Sequence, residues 1–276
     1  AFEADNAVAF EEALTKCPNP NAILINSANP LVCQAARLGR LGILAAAMRA
    51  DPWGATAADS EMRTPLHYAA LAGDAAAVQV VFDLKPERVA PGMLIKQQDS
   101  TKMTVLHSAV LSGNEELVLL LLRLGQGAAL NMRSTSGFFP SHLACSKGMS
   151  RAVQVMCELE QGAIQEPKKS NVGGLSGDYM GSSDPDGASL LHRATVEGHD
   201  DVVKVLLSSG LCDPNLQDAD GSTALHLACA MGLDEIIEML LPATDIDLLD
   251  AQGKRAMEWR QELCNDSSEL TGALVL

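Results

Sequence analysis

Aromatic residues are scarce in this chain: Phe, Trp and Tyr make up 3% of its 276 residues. A core filled mainly by rings is excluded, and Ala and Leu are left to fill the interior. Basic residues are also few, with 20 Lys and Arg against 35 Asp and Glu and a formal net charge of −15. Nucleic-acid affinity rests on neutralising phosphates, so direct DNA or RNA binding is not expected. An acidic surface steers basic partners towards it, or serves only to keep the chain dispersed. Apolar runs stay short, and Leu117–Leu122 is broken by Arg123. That is far below the length needed to cross a bilayer, so no membrane insertion is expected. There is no CxxC, no GxxxxGK[ST] and no Ser-His-Asp or Cys-His set outside the repeated pattern described next. Zinc chelation, phosphate-loop chemistry and nucleophilic catalysis therefore have no support, and neither a cofactor nor a metal is expected.

What the chain does have is one phrase, written many times. It reads TPLHYAALAG at 64–73, TVLHSAVLSG at 104–113, FPSHLACSKG at 139–148, SLLHRATVEG at 189–198 and TALHLACAMG at 223–232. A weaker copy, PLVCQAARLG, stands at 30–39. The closing glycines, Gly39, Gly73, Gly113, Gly148, Gly198 and Gly232, are spaced 34, 40, 35, 50 and 34 residues apart. A period near 33 residues signals one supersecondary unit stacked on copies of itself. The seven cysteines, Cys17, Cys33, Cys145, Cys157, Cys212, Cys229 and Cys264, are odd in number, and several fall within the apolar pattern. Reduced, buried thiols and a cytoplasmic or nuclear location follow as expectations.

Residues 218–249 show what each unit predicts. Asp218 and Gly221 suit a tight turn, and Thr223 caps the helix that follows. Leu225, Ala228 and Cys229 form one face of that helix, and Gly232 ends it in a left-handed conformation. Asp234 and Glu235 open a second helix whose apolar face carries Ile236, Ile237, Met239, Leu240 and Leu241. Two helices this short cannot bury their faces alone, so neighbouring units must stack.

The phrase resembles the T-P-L-H-x-A signature of the ankyrin repeat family. The resemblance implies an all-α ankyrin-repeat α-solenoid of helix-turn-helix units, from which β-hairpin-like fingers project. It predicts a capping helix and lead-in at 1–28, an array of about seven repeats at 29–262 and a tail at 263–276. Cys33 anchors the first repeat, His67, His107, His142, His192 and His226 the next five, and Glu258 takes the His place in a seventh. These histidines are expected to bond backbone rather than metal. Met62 and Lys102 stand at finger turns where glycine is usual, so those fingers are expected to be tighter, altered or strained. Phe139 replaces the usual Thr of the fourth repeat and Ser141 its Leu.

The family's binding surface implies a non-catalytic scaffold that holds a protein or peptide along its concave face and finger loops, a basic one where the acidic charge steers it, and that is itself monomeric. The alternative is a regulatory or substrate-recruiting module cut from a larger enzyme or membrane protein. Carried over by position, the finger contacts are Met62, Arg63, Lys102, Met103, Phe138 and Phe139, with Glu61, Asp186 and Asp220. The inner-helix contacts are Tyr68, Leu71, Leu111, Lys147, Arg193, Glu197 and Met231, with Leu143 and Leu227. Phe138 serves either as an interface hot spot or as packing between fingers. The 50-residue interval contains an insertion at 161–187, either a mobile loop or a contact element offering Tyr179 and Met180. A smaller insertion falls near Lys85–Lys96. The segment LSSGLCDPN resembles the context of asparaginyl hydroxylation in ankyrin repeats, with Asn215 as acceptor.

Overall fold

Every copy of the phrase folds as a short helix followed by a reversal and a second helix. The computed structural model describes residues 6–16, 29–165, 180–181 and 183–261. The lead-in at 17–28, most of the insertion and the tail at 263–276 lie outside the described residues, as do Cys17, Cys264 and Tyr179. The repeat count predicts one array, but the chain groups into two compact units that divide between Pro140 and Ser141.

The first unit opens with α1 (Ala7–Thr15), which packs against α3 and ties its Glu11 to Arg49 at 3.3 Å. Three helix pairs follow: α2 (Leu31–Arg37) with α3 (Leu41–Ala50), α4 (Pro65–Leu71) with α5 (Ala75–Leu84), and α7 (Val105–Ser112) with α8 (Glu115–Gly125). A 3₁₀ turn at Pro52–Thr56 and the short α6 (Pro91–Ile95) bridge between pairs, α6 being built from the smaller insertion. Inner helices pack on inner helices, α2 on α4 and α4 on α7, while α3 packs on α5 in the outer layer. The second unit contains α9 (Pro140–Ser146), α10 (Ser150–Gln165), α11 (Leu190–Val196), α12 (Asp200–Ser209), α13 (Ala224–Met231) and α14 (Asp234–Leu240). There α11 packs on α13, α10 on α12 and α12 on α14. A last helix at 256–261 follows. No strand forms among the described residues, only the isolated bridges Gln98–Thr104 and Leu249–Arg255.

Side-chain size explains the two layers. Ala35, Ala36, Ala69, Ala70, Ala109, Ala194 and Ala228 are fully buried and let the inner helices approach closely. The outer helices bury Ile43, Leu44, Val78, Val81, Leu117, Leu121, Val202, Val203, Leu206, Ile237 and Leu240. Each such large side chain contributes about 1.5–3 kcal/mol, so stacking rather than helix propensity holds the units together. Ser141 occupies the position of Leu66 and Leu106, and its buried Oγ has no hydrogen-bond partner among the described residues.

Candidate finger and inner-helix surface

The surface is built outward from the signature histidine. In four repeats the imidazole Nδ1 accepts the backbone N–H of the preceding cap residue: Thr64 at 3.2 Å, Thr104 at 3.1 Å, Ser189 at 3.1 Å and Thr223 at 3.2 Å. The cap hydroxyl lies 2.7–2.9 Å from the same nitrogen. An N–H already points at Nδ1, so the ring proton sits on Nε2. It is donated to a carbonyl of the next finger: His67 to Met103, His107 to Phe138, His192 to Ser222 and His226 to Lys254, at 2.8–3.3 Å. Burial lowers the pKa of His67, His107 and His192 and keeps them neutral. The expected structural role of these rings is what the geometry shows. Phe139 stands where these four repeats place Thr or Ser, so the repeat of His142 has no hydroxyl at that position.

Each finger is a turn closed by its first residue. Asp59, Asp99, Asp184, Asp218 and Asp250 accept two backbone N–H groups on Oδ1, from the residues two and four positions on, all at 2.8–3.0 Å. The fourth residue of the turn is left-handed throughout. Gly137, Gly187, Gly221 and Gly253 take that role, and so do Met62 at φ 61° and Lys102 at φ 57°. The fingers of Met62 and Lys102 therefore keep the shared turn and carry backbone strain, rather than tightening. Adjacent fingers are joined by Ser100 N–H to Glu61 O, Thr135 N–H to Thr101 O, Ala219 N–H to Asp186 O and Ala251 N–H to Asp220 O, at 2.8–3.1 Å.

A further tie was not legible in the sequence. The second aspartate oxygen often accepts from the residue nine positions on, just after the anchor: Tyr68 Oη to Asp59 at 2.5 Å, Arg193 Nε to Asp184 at 2.6 Å, and Trp259 Nε1 to Asp250 at 2.7 Å. Burial, then the Asp59 hydrogen bond, raises the Tyr68 pKa. Asp99 Oδ2 faces Arg63 Nε at 3.5 Å. The donors Tyr, Arg and Trp share no sequence pattern. Only their common offset from the finger aspartate could have revealed them.

The sequence-predicted contacts separate by exposure. Met62, Leu71, Leu111 and Met231 are exposed at 57%, 46%, 36% and 48%, and Lys102, Lys147 and Glu197 are also exposed. Arg63, Tyr68, Met103, Phe138 and Arg193 are half-buried. Two expectations are corrected. Phe139 is 7% exposed, with the Arg133 guanidinium 4.2 Å above its ring, so its side chain packs inside the unit. Met180 is fully buried, and its carbonyl accepts the Cys212 thiol at 3.2 Å. Asn215 is exposed, and its Oδ1 accepts Asp245 N–H at 2.7 Å.

Among the described residues, no group of three or more His, Cys, Asp or Glu side chains could hold a metal ion. The described cysteines are free and buried. Burial, with the Asp59 charge, pushes Cys33 up to about 12, and burial likewise raises Cys157 and Cys229 to about 11. Such thiols stay protonated and unreactive. A cleft of about 370 Å³ between α10 and α12 includes Cys157, Glu158 and Lys204 and lies away from the contact residues. No described helix is long and apolar enough to cross a membrane.

Comparison with known proteins agrees with this geometry. Human NF-kappa-B inhibitor alpha is 29% identical over 121 residues, covering 44% of this chain and 34% of that protein. Human protein phosphatase 1 regulatory subunit 27 is 36% identical over 89 residues, covering 32% of this chain and 53% of that protein. The matches thus span about a third to a half of these relatives' lengths. The crystal structure of the ankyrin repeat domain of Bcl-3, a member of the IkappaB protein family, superposes with a TM-score of 0.62 at 20% identity, covering 83% of this chain and 97% of that one; at that identity it speaks to fold alone. The family model for ankyrin repeats matches in three copies, at residues 32–134, 106–218 and 163–252, and the chain belongs to the ankyrin repeat family.

Proposed function

We propose that this chain is a non-catalytic protein-binding scaffold whose partner lies across the finger tips and the exposed ends of the inner helices. The observation that carries the reading is the placement of exposed apolar side chains. The signature residues are buried, yet Met62, Leu71 and Leu111 in the first unit, and Val196 and Met231 in the second, are exposed at 36–57% on fingers or inner helices. Apolar side chains held out on rigid elements are typical anchors for a partner. Lys102, Lys147 and Glu197 supply a polar rim. The buried free thiols favour the cytoplasm or nucleus. Asn215 remains the proposed hydroxylation acceptor, testable by an added oxygen in the mass of natively sourced protein.

The test is capture of partners from native extract by the wild-type chain, Leu71→Asp/Leu111→Asp and Val196→Asp/Met231→Asp, with circular dichroism confirming folding. Each double variant is expected to lose partners. Identical capture by all three proteins rejects the reading. A regulatory or recruiting module within a larger enzyme or membrane protein is the second reading, favoured by the similarity to a phosphatase regulatory subunit. Sequence flanking residues 1–276 discriminates the two.

A further inference from the structure

Five fingers begin with aspartate, and in four of them an in-chain donor engages the second carboxylate oxygen. Tyr68, Arg193 and Trp259 do so from the position nine residues on, and Arg63 does so for Asp99. Asp218 is different. Its Oδ1 closes the turn through Asp220 N–H and Ser222 N–H at 2.9 Å. No hydrogen bond or ion pair reaches its Oδ2 among the described residues, because the position nine on is Leu227, which has nothing to donate. The surface beside it is an unpartnered inner-helix face. Leu227 is half-buried, while Met231 on α13 and Val196 on α11 are exposed at 48% and 44%. Asp220 and Glu197 are exposed beside this face, and the cations around it are engaged within the chain: Arg193 by Asp184 and by Asp186 at 3.1 Å, Arg255 by Asp247 at 3.4 Å, Arg260 by Asp234 at 2.8 Å, and Lys254 over the Trp259 ring at 4.1 Å.

Resting on the scaffold reading, we propose that the second unit receives a Lys or Arg side chain from an extended segment of a partner protein. The cation bonds Asp218 Oδ2 beside Asp220, its aliphatic stem lies on Leu227, and neighbouring apolar residues of the segment cover Met231 and Val196. The partner thereby supplies the donor that Tyr68, Arg193 and Trp259 supply within their own repeats. A long basic side chain suits the site because its methylenes match the apolar floor while its charge meets the carboxylate. A basic partner is also what the −15 net charge attracts.

The same pattern supplies the test. Leu227→Arg places an in-chain guanidinium where Arg193 stands in the preceding repeat, and should fill the site without unfolding the protein. A random phage-displayed peptide library is selected on the intact chain, and the enriched peptides are synthesised. They are expected to carry Lys or Arg flanked by apolar residues and to bind more weakly as salt rises. Leu227→Arg and Asp218→Asn should each weaken them about tenfold or more, the loss expected for one charge-assisted hydrogen bond. Enriched peptides without cations, or undiminished binding to folded Asp218→Asn, overturn the proposal. Peptides lost instead on Leu71→Asp overturn it while leaving the scaffold reading standing. A library that enriches nothing counts against both.

Discussion

The fingers of the two units solve one backbone problem differently. All need a left-handed residue at the fourth turn position. The described fingers of the second unit use Gly187, Gly221 and Gly253, whereas the first two of the first unit use Met62 and Lys102. Space explains part of the difference. A Cβ on Gly221 would lie 2.9 Å from Ala251 N, and one on Gly187 would lie 3.1 Å from Ala219 N, so backbone from the next finger crowds a side chain at both positions, most at Gly221. At Met62 and Lys102 a side chain is accommodated and exposed. At Gly187 and Gly221 glycine is thus favoured by both conformation and contact, while a Cβ on Gly253 would meet nothing within 4 Å and conformation alone asks for glycine there. In the first unit only conformation asks for it, and two strained side chains stand there instead.

The largest expected effect is Gly221→Ala. Left-handed strain and the approach to Ala251 together should cost more than about 2 kcal/mol in guanidinium unfolding. A loss no larger than a few tenths would break the contrast between the units. Next come the caps, which the units share. Thr104→Ala and Thr223→Ala should each lose about 1–2 kcal/mol, and a clear inequality would extend the contrast beyond the turns. Acid should act through the histidines. The folded pKa of His67, His107 and His192 lies below the unfolded value of about 6.5. Their contribution is full above about pH 6.5 and declines as pH falls through that value towards the folded pKa. Unfolding midpoints should therefore drop between neutral pH and pH 5. A flat profile would show that these rings accept a proton at no cost. The smallest effect is Met62→Gly. Relief of strain, about 1–2 kcal/mol, is opposed by about 0.4–1 kcal/mol of added unfolded-state entropy, for a net gain of roughly 0.5 kcal/mol. A destabilised Met62→Gly would mean that the Met62 side chain packs rather than projects.

The helices, their caps and their glycine stops were readable because each is a local pattern: Thr223 before Leu225, Ala228 and Cys229, then Gly232. The fate of Met62 and Lys102 was half readable. The glycine deficit marks the strain, but only Asp59 and Asp99, gripping two N–H groups each, explain why the turn survives. Phe138 and Phe139 are adjacent, and sequence position alone could not say which ring turns inward. The ties from Tyr68, Arg193 and Trp259 need the finger and the helix beside it in three dimensions, and chemically unlike donors leave no periodic trace.

The forward donation from each imidazole has one more consequence. The rings of His67, His107, His192 and His226 are each satisfied by a carbonyl of the repeat that follows, so damage has a heading. Opening the finger at Lys254 unlatches His226, and opening the one at Ser222 unlatches His192. A nick or a frayed turn is therefore felt first in the helix upstream of it, and amide exchange there should report an injury one repeat away.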